Sequence, residues 1–159
     1  MDDDPEFAQA LDTVLRDLRA EGAVLPRVSV AVGYGLVLHA PDGSGQGIRW
    51  PDSGSAAERL ANLADQVQEW AVEAQWSVGA PAVWPHCPQH PNSHPLTATV
   101  AADDGVGVGA SAGAAVWTCP KTGAVVARVG ELPGGAELAG GAELAGGKGS
   151  AGGEATGAA

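Results

Sequence analysis

Trp84-Pro85-His86-Cys87-Pro88-Gln89-His90-Pro91-Asn92-Ser93-His94-Pro95-Leu96, answered further on by Trp117-Thr118-Cys119-Pro120-Lys121-Thr122-Gly123, decides how this 159-residue chain is read. Between them the two segments hold both cysteines of the chain and three of its four histidines. Proline fixes φ in a tight turn and glycine accepts the positive φ that follows, so each segment reads as a turn presenting its side chains on one side. Strand patterns flank them: 96–100, 114–118 and 124–129 carry β-branched and apolar residues in short runs. The stretch 103–112 between the first two runs is rich in Gly and Ala and reads as a long flexible hairpin loop.

The two turns resemble those of a zinc ribbon, commonly C-P-x-C-G, each of which places two side chains on one tetrahedral metal. The first segment carries His90 in the second ligand slot. The second keeps Cys119, Pro120 and Gly123 but has Thr122 where the second Cys of the pattern stands. The resemblance covers about a quarter of the chain and implies Cys87, His90 and Cys119 as ligands of Zn²⁺. A structural zinc site takes four N/S ligands, so one more must come from outside the pattern. His94 is the first choice, four residues beyond His90 in a proline-punctuated loop that can curl back. His86 is the second, although neighbours in an extended segment point to opposite sides, which makes joint ligation with Cys87 awkward. Water is the third possibility.

Plainer readings compete with the metal. The ribbon can be degenerate and held by Trp packing and prolines; Cys87 and Cys119 can form a disulfide across the hairpin; the histidines can be ordinary surface residues, as His39 at a strand end is expected to be. The run from Trp-Pro-x-Cys-Pro-x-His to Val-Trp-Thr-Cys-Pro, closing on Arg128-Val129-Gly130-Glu131-Leu132, is similar to a group of small uncharacterised actinobacterial proteins. That resemblance implies a bacterial, cytoplasmic origin and does not point to any activity.

Upstream, Asp4-Pro5 opens a helix, with Asp as N-cap and Pro at the first helical position. Phe7, Leu11, Val14, Leu15 and Leu18 follow as one apolar stripe, and Gly22 is a natural stop. Alternation over 27–32 predicts a half-buried strand, read as running on past Gly33 and Gly35 through 36–39. Pro41-Asp42-Gly43-Ser44-Gly45 is a turn by its chemistry, and 47–50 returns as a partner strand. Ser55-Ala56-Ala57-Glu58 matches a capping box for a long amphipathic helix. Its apolar stripe is Leu60, Leu63, Ala64, Val67, Ala71 and Ala74, flanked by Trp70; its polar face is Arg59, Asp65, Gln68, Glu69 and Glu73. Trp76, Trp84 and Trp117 read as core or cover residues.

The fold class expected is therefore α+β: an N-terminal helix, a β-hairpin and a long amphipathic helix, then a C-terminal zinc-ribbon-like antiparallel β element. In domain terms, 1–80 form an α-β-β-α unit, 81–132 the ribbon-like element packed on it, and 133–159 a Gly/Ala-rich tail. That tail repeats Gly-Gly-Ala-Glu-Leu-Ala once and reads as disordered, having too little apolar surface to offset chain entropy.

Charge excludes several functions. The formal net charge is −11, and residues 1–80 carry 13 acids against 5 bases. No segment is basic, which disfavours nucleic acid and anionic lipid as partners. Met1-Asp2-Asp3-Asp4 lacks the features of a secretion signal, and no run approaches the roughly 20 apolar residues of a membrane helix. The expected compartment is cytoplasmic, where two cysteines read as thiols or metal ligands before a disulfide. Gly105-Val106-Gly107-Val108-Gly109 lacks the Lys-Ser/Thr of a phosphate loop, and no nucleophile elbow surrounds a serine. The reading is a small binding or adaptor protein with a structural zinc site and an unidentified protein partner. Its rivals are a metal-free scaffold or regulatory interaction protein and, third, a zinc-dependent enzyme with water as the fourth ligand.

Overall fold

A computed structural model describes residues 4–101 and 113–134; the expected 103–112 loop and nearly all of the expected tail lie outside the described residues. Helix α1 spans Pro5–Ala20, with Asp4 accepting a hydrogen bond from the Glu6 N–H at its start. Strands β1 (Arg27–Ala31), β2 (Gly35–His39) and β3 (Gly45–Ile48) follow, then helix α2 (Ala56–Ser77) and strands β4 (Thr97–Val100), β5 (Ala115–Thr118) and β6 (Val125–Arg128). The strands form two three-stranded antiparallel sheets, each in sequential order. The molecule is mixed α+β, and no helix among the described residues is long and apolar enough to cross a membrane.

The first sheet differs from the sequence reading. The run expected to pass through Gly33 and Gly35 turns there, and a hairpin becomes a three-stranded meander. Gly33 (φ +83°) and Gly35 (φ +72°) take the left-handed conformation open to glycine, and the Tyr34 N–H donates to the Ala31 carbonyl at 3.0 Å. Two glycines at this spacing are turn chemistry.

Both helices and both sheets contribute to one core. Val14 and Leu18 of α1, Leu63, Ala64, Val67 and Trp70 of α2, Leu38 and Ile48 of the first sheet, and Trp84, Leu96 and Trp117 beside the second are all buried in it. The α2 cap is the expected box: the Ser55 side chain accepts from the Glu58 N–H at 3.2 Å, and the Ser55 N–H donates to Glu58 Oε2 at 2.7 Å. Trp84 and Trp117 are fully buried and meet edge to face at 5.5 Å. Trp76 departs from expectation: it is 74% exposed near the end of α2.

The second sheet is tied to α1 by a residue that sequence reading passed over. Asp17, on the buried side of α1, is completely enclosed. Its carboxylate accepts from Trp117 Nε1 at 2.7 Å, the Gly130 N–H at 2.7 Å and the Leu132 N–H at 2.9 Å. Burial pushes the Asp17 pKa up, and the three N–H donors pull against it without fully cancelling the desolvation. Gly130 lies so close to α1 that a Cβ there would stand 2.5 Å from Thr13 Cγ2.

Candidate metal centre

The loop that carries the candidate ligands is pinched at its base. The Leu96 N–H donates to the Pro85 carbonyl at 2.9 Å, and His86 and Pro95 face each other as an isolated β-bridge. From α2, Gln68 Nε2 donates to the carbonyls of Trp84 (2.9 Å) and Leu96 (2.6 Å), on either side of that neck. Gln75 Nε2 donates to the Val83 carbonyl at 3.1 Å. Gln68, on the polar face expected for α2, is half-buried and anchors the loop. A glutamine next to an apolar stripe is the kind of residue that can reach backbone carbonyls, but periodicity alone does not reveal it.

Within the loop Cys87-Pro88-Gln89-His90 closes a tight turn, the His90 N–H donating to the Cys87 carbonyl at 3.2 Å. Opposite it, Cys119 leads the turn between β5 and β6. There the Gly123 N–H donates to the Cys119 carbonyl at 2.8 Å, and Gly123 takes φ +72°. Each turn is the Pro-set form expected from the sequence, and β5 holds the second one against the first.

The structure brings Cys87, His90, His94 and Cys119 together. One potential ligand atom from each lies within 4.8 Å of all the others, and this is the one such His/Cys/Asp/Glu group among the described residues. His90 Nδ1 stands 3.6 Å from Cys87 Sγ and 3.5 Å from Cys119 Sγ; His94 Nε2 is 3.8 Å from Cys119 Sγ. The His90 and His94 rings lie 5.0 Å apart, tilted by 45°. Both cysteines are buried free thiols, so the cross-hairpin disulfide weighed from sequence is not formed.

Two features bear on what the group can do. The first is that His94 Nδ1 lies 2.9 Å from the Pro95 carbonyl. A carbonyl only accepts, so Nδ1 carries the proton, and in the neutral ring the Nε2 lone pair is left facing the Cys119 sulfur. Metal-bound histidines are oriented in this way, by donation from the second ring nitrogen to a carbonyl. The second is the state of Cys119. Burial pushes its thiol up, but hydrogen bonds from the Thr122 side chain, the Thr122 and Lys121 N–H groups and the Cys87 thiol outweigh this and hold it at about 6. Thr122, in the slot where the ribbon pattern has a second Cys, thus supports the Cys119 sulfur and is not itself in the cluster.

The remaining histidines lie elsewhere. His86, the second choice for the fourth position, turns to α1: its Nδ1 is 3.1 Å from Glu21 Oε2, and its N–H also faces that carboxylate. Adjacent residues in the extended segment point apart, so Cys87 and His86 cannot share a site. His39 pairs with Ser29 across the first sheet, with 2.7 Å between Ser29 Oγ and His39 Nε2. No family model, curated protein or solved structure matches the chain.

Proposed function

We propose that Cys87, His90, His94 and Cys119 hold one zinc ion in a structural role, closing a zinc-ribbon-like element of a small cytoplasmic binding or adaptor protein. The observation that carries this reading is the spacing of the donor atoms. Zn–S bonds of about 2.3 Å and Zn–N bonds of about 2.0 Å at the tetrahedral angle put S and N roughly 3.5 Å apart. Three of the four sulfur–nitrogen separations here are 3.5, 3.6 and 3.8 Å, and all the ligand atoms lie within 4.8 Å of one another. Two thiolates and two imidazoles make a donor set that suits zinc and offers no oxygen ligand to calcium or magnesium.

Four protein ligands favour structure over catalysis, since a catalytic zinc keeps one position for water or substrate. His94 fills that position and is fixed in the required tautomer by Pro95. A structural ion here would tie the 86–95 loop to the β5–β6 turn, reinforcing the hydrogen bonds from Lys121 Nζ to Ser93 Oγ and from Thr122 Oγ1 to Gln89 Oε1 that already join them. A protein partner fits an acidic surface without a basic patch better than nucleic acid or an anionic membrane does.

Elemental analysis of untagged protein tests the reading. One zinc per chain is expected, lost in Cys119→Ala together with thermal stability. Protein that folds cooperatively without zinc and is indifferent to chelator would refute it and leave the metal-free scaffold, held by the Trp84–Trp117 pair and the Asp17 contacts.

A further inference from the structure

Cys87 and Cys119 are the two cysteines of the chain, both are free thiols, and the fold sets their sulfurs within 4.8 Å of each other. His90 Nδ1 stands beside both, 3.6 Å from Cys87 Sγ and 3.5 Å from Cys119 Sγ. The two residues come from different turns, one in the 86–95 loop and one between β5 and β6. Contacts that involve no sulfur keep those turns adjacent.

The loop is closed at its base by the Leu96 N–H on the Pro85 carbonyl at 2.9 Å, and by Gln68 of α2 on the carbonyls of Trp84 and Leu96. Across to the β5–β6 turn run Lys121 Nζ to Ser93 Oγ at 3.3 Å and Thr122 Oγ1 to Gln89 Oε1 at 3.2 Å. The Cys119 N–H donates to the Ala124 carbonyl at 2.9 Å, which fixes that residue just past β5. None of these bonds needs an ion, so the two sulfurs remain neighbours when the ion leaves. Holding two reacting groups together in this way gives each a high effective concentration at the other. Rotation about the two Cα–Cβ bonds can bring sulfurs this close to the roughly 2.0 Å of a disulfide.

We propose that Cys87 and Cys119 are a reversible two-electron redox pair whose oxidation by a low-molecular-weight disulfide releases the zinc ion. The release rests on the zinc reading given above; the pairing of the thiols does not. One protein sulfur attacks the small disulfide, breaking its S–S bond, forming a mixed disulfide and expelling one thiolate. The second protein sulfur then attacks the first, closing the Cys87–Cys119 bond and expelling the other thiolate. Two electrons pass from the protein to the small disulfide, whose two thiolates take up protons from solvent as Zn²⁺ departs. The thiolate is the metal ligand and a disulfide sulfur is not, and two imidazoles fall short of the four N/S ligands of a structural site. The loop and the turn are thus joined by zinc in one state and by sulfur in the other. In a reducing compartment such a pair senses oxidation and is not a permanent tie.

Both sulfurs are buried, which slows access, so the test is read at equilibrium. The full reduced chain is held in glutathione buffers of graded potential at several fixed concentrations of free zinc, then acid-quenched and alkylated. Intact mass counts the thiols, and elemental analysis of the separated protein reads bound zinc. The expected result is loss of both thiols together in a monomeric product, loss of zinc in step, and recovery of both with dithiothreitol. Because the reduced form alone binds the ion, the midpoint potential rises by about 30 mV for each tenfold rise in free zinc. Cys87→Ser leaves Cys119 as a glutathione adduct that no second sulfur resolves. Thiols that survive an excess of oxidised glutathione overturn the proposal whether or not zinc is bound, as does a product that is a stable glutathione adduct or a chain-to-chain dimer in the wild type. A Cys87–Cys119 disulfide whose midpoint ignores zinc overturns the release of the ion and, where the reduced chain also holds no zinc, the metal reading itself.

Discussion

Replacing Asp17 by alanine removes one carboxylate and strands three donors: Trp117 Nε1 and the N–H groups of Gly130 and Leu132. A buried donor left without a partner costs about 1–3 kcal/mol. Three would cost more, but the variant also escapes the desolvation of a buried carboxylate, and the net loss works out at about 3–5 kcal/mol. That is a large part of the roughly 5–15 kcal/mol that keeps a domain folded. Asp17→Asn is the graded control. Its Oδ1 can replace the oxygen that serves Trp117 and Gly130, while its Nδ2 confronts the Leu132 N–H, so the loss is one bond plus a donor–donor contact, about 1–3 kcal/mol.

Urea unfolding followed by tryptophan fluorescence at neutral pH should rank wild type above Asp17→Asn above Asp17→Ala. The pH profile carries a second signature. The folded-state pKa of Asp17 lies above its ordinary value of 3.8, so the native state holds this proton more tightly than the unfolded chain does. Its contribution to stability is therefore complete below pH 3.8 and declines as pH rises through the raised folded-state value. Subtracting the Asp17→Asn profile from that of wild type isolates this decline. An alanine variant within about 0.5 kcal/mol of wild type would refute the claim that Asp17 holds α1 to the second sheet.

Two further outcomes follow from the same contacts. His94→Ala should lower zinc content and raise sensitivity to chelator, whereas His86→Ala, which touches Glu21 outside the cluster, should leave zinc content unchanged; equal effects in an elemental assay would contradict the ligand assignment. Gly130→Ala puts a methyl against Thr13 at a φ of +92° and should destabilise by about 2–4 kcal/mol in a urea melt, with Thr13→Ala restoring part of the loss; a neutral Gly130→Ala would show that the approach of the chain to α1 relaxes freely.

Much of this protein was legible from local chemistry. Asp4-Pro5 and the Ser55–Glu58 box set two helix starts because capping needs only residues within one turn. The apolar stripes of α1 and α2 marked their buried sides, and the prolines and glycines around Cys87 and Cys119 marked two tight turns. Cysteine and histidine are the side chains that bind a tetrahedral zinc ion, so Cys87, His90 and Cys119 could be named from the chain alone, with His94 ranked ahead of His86 for the fourth place. The turn at Gly33–Gly35 is equally local, but the alternation on either side of it makes one long strand look continuous.

What the sequence could not determine depends on residues far apart in the chain. Asp17 looks like a solvated acid in a helix until Trp117, Gly130 and Leu132, 100 or more residues away, point their N–H groups at it. Gln68 looks like a surface residue until the ends of the 84–96 segment come within reach of its amide. The choice of His94 over His86 likewise rests on which way each ring faces once the loop is pinched and Glu21 has claimed one of them. Hydrogen bonds act over about 3 Å, so only the packing of distant segments decides which polar groups meet. A sequence determines which groups are available to pair; the tertiary structure selects the pairs by desolvating them together.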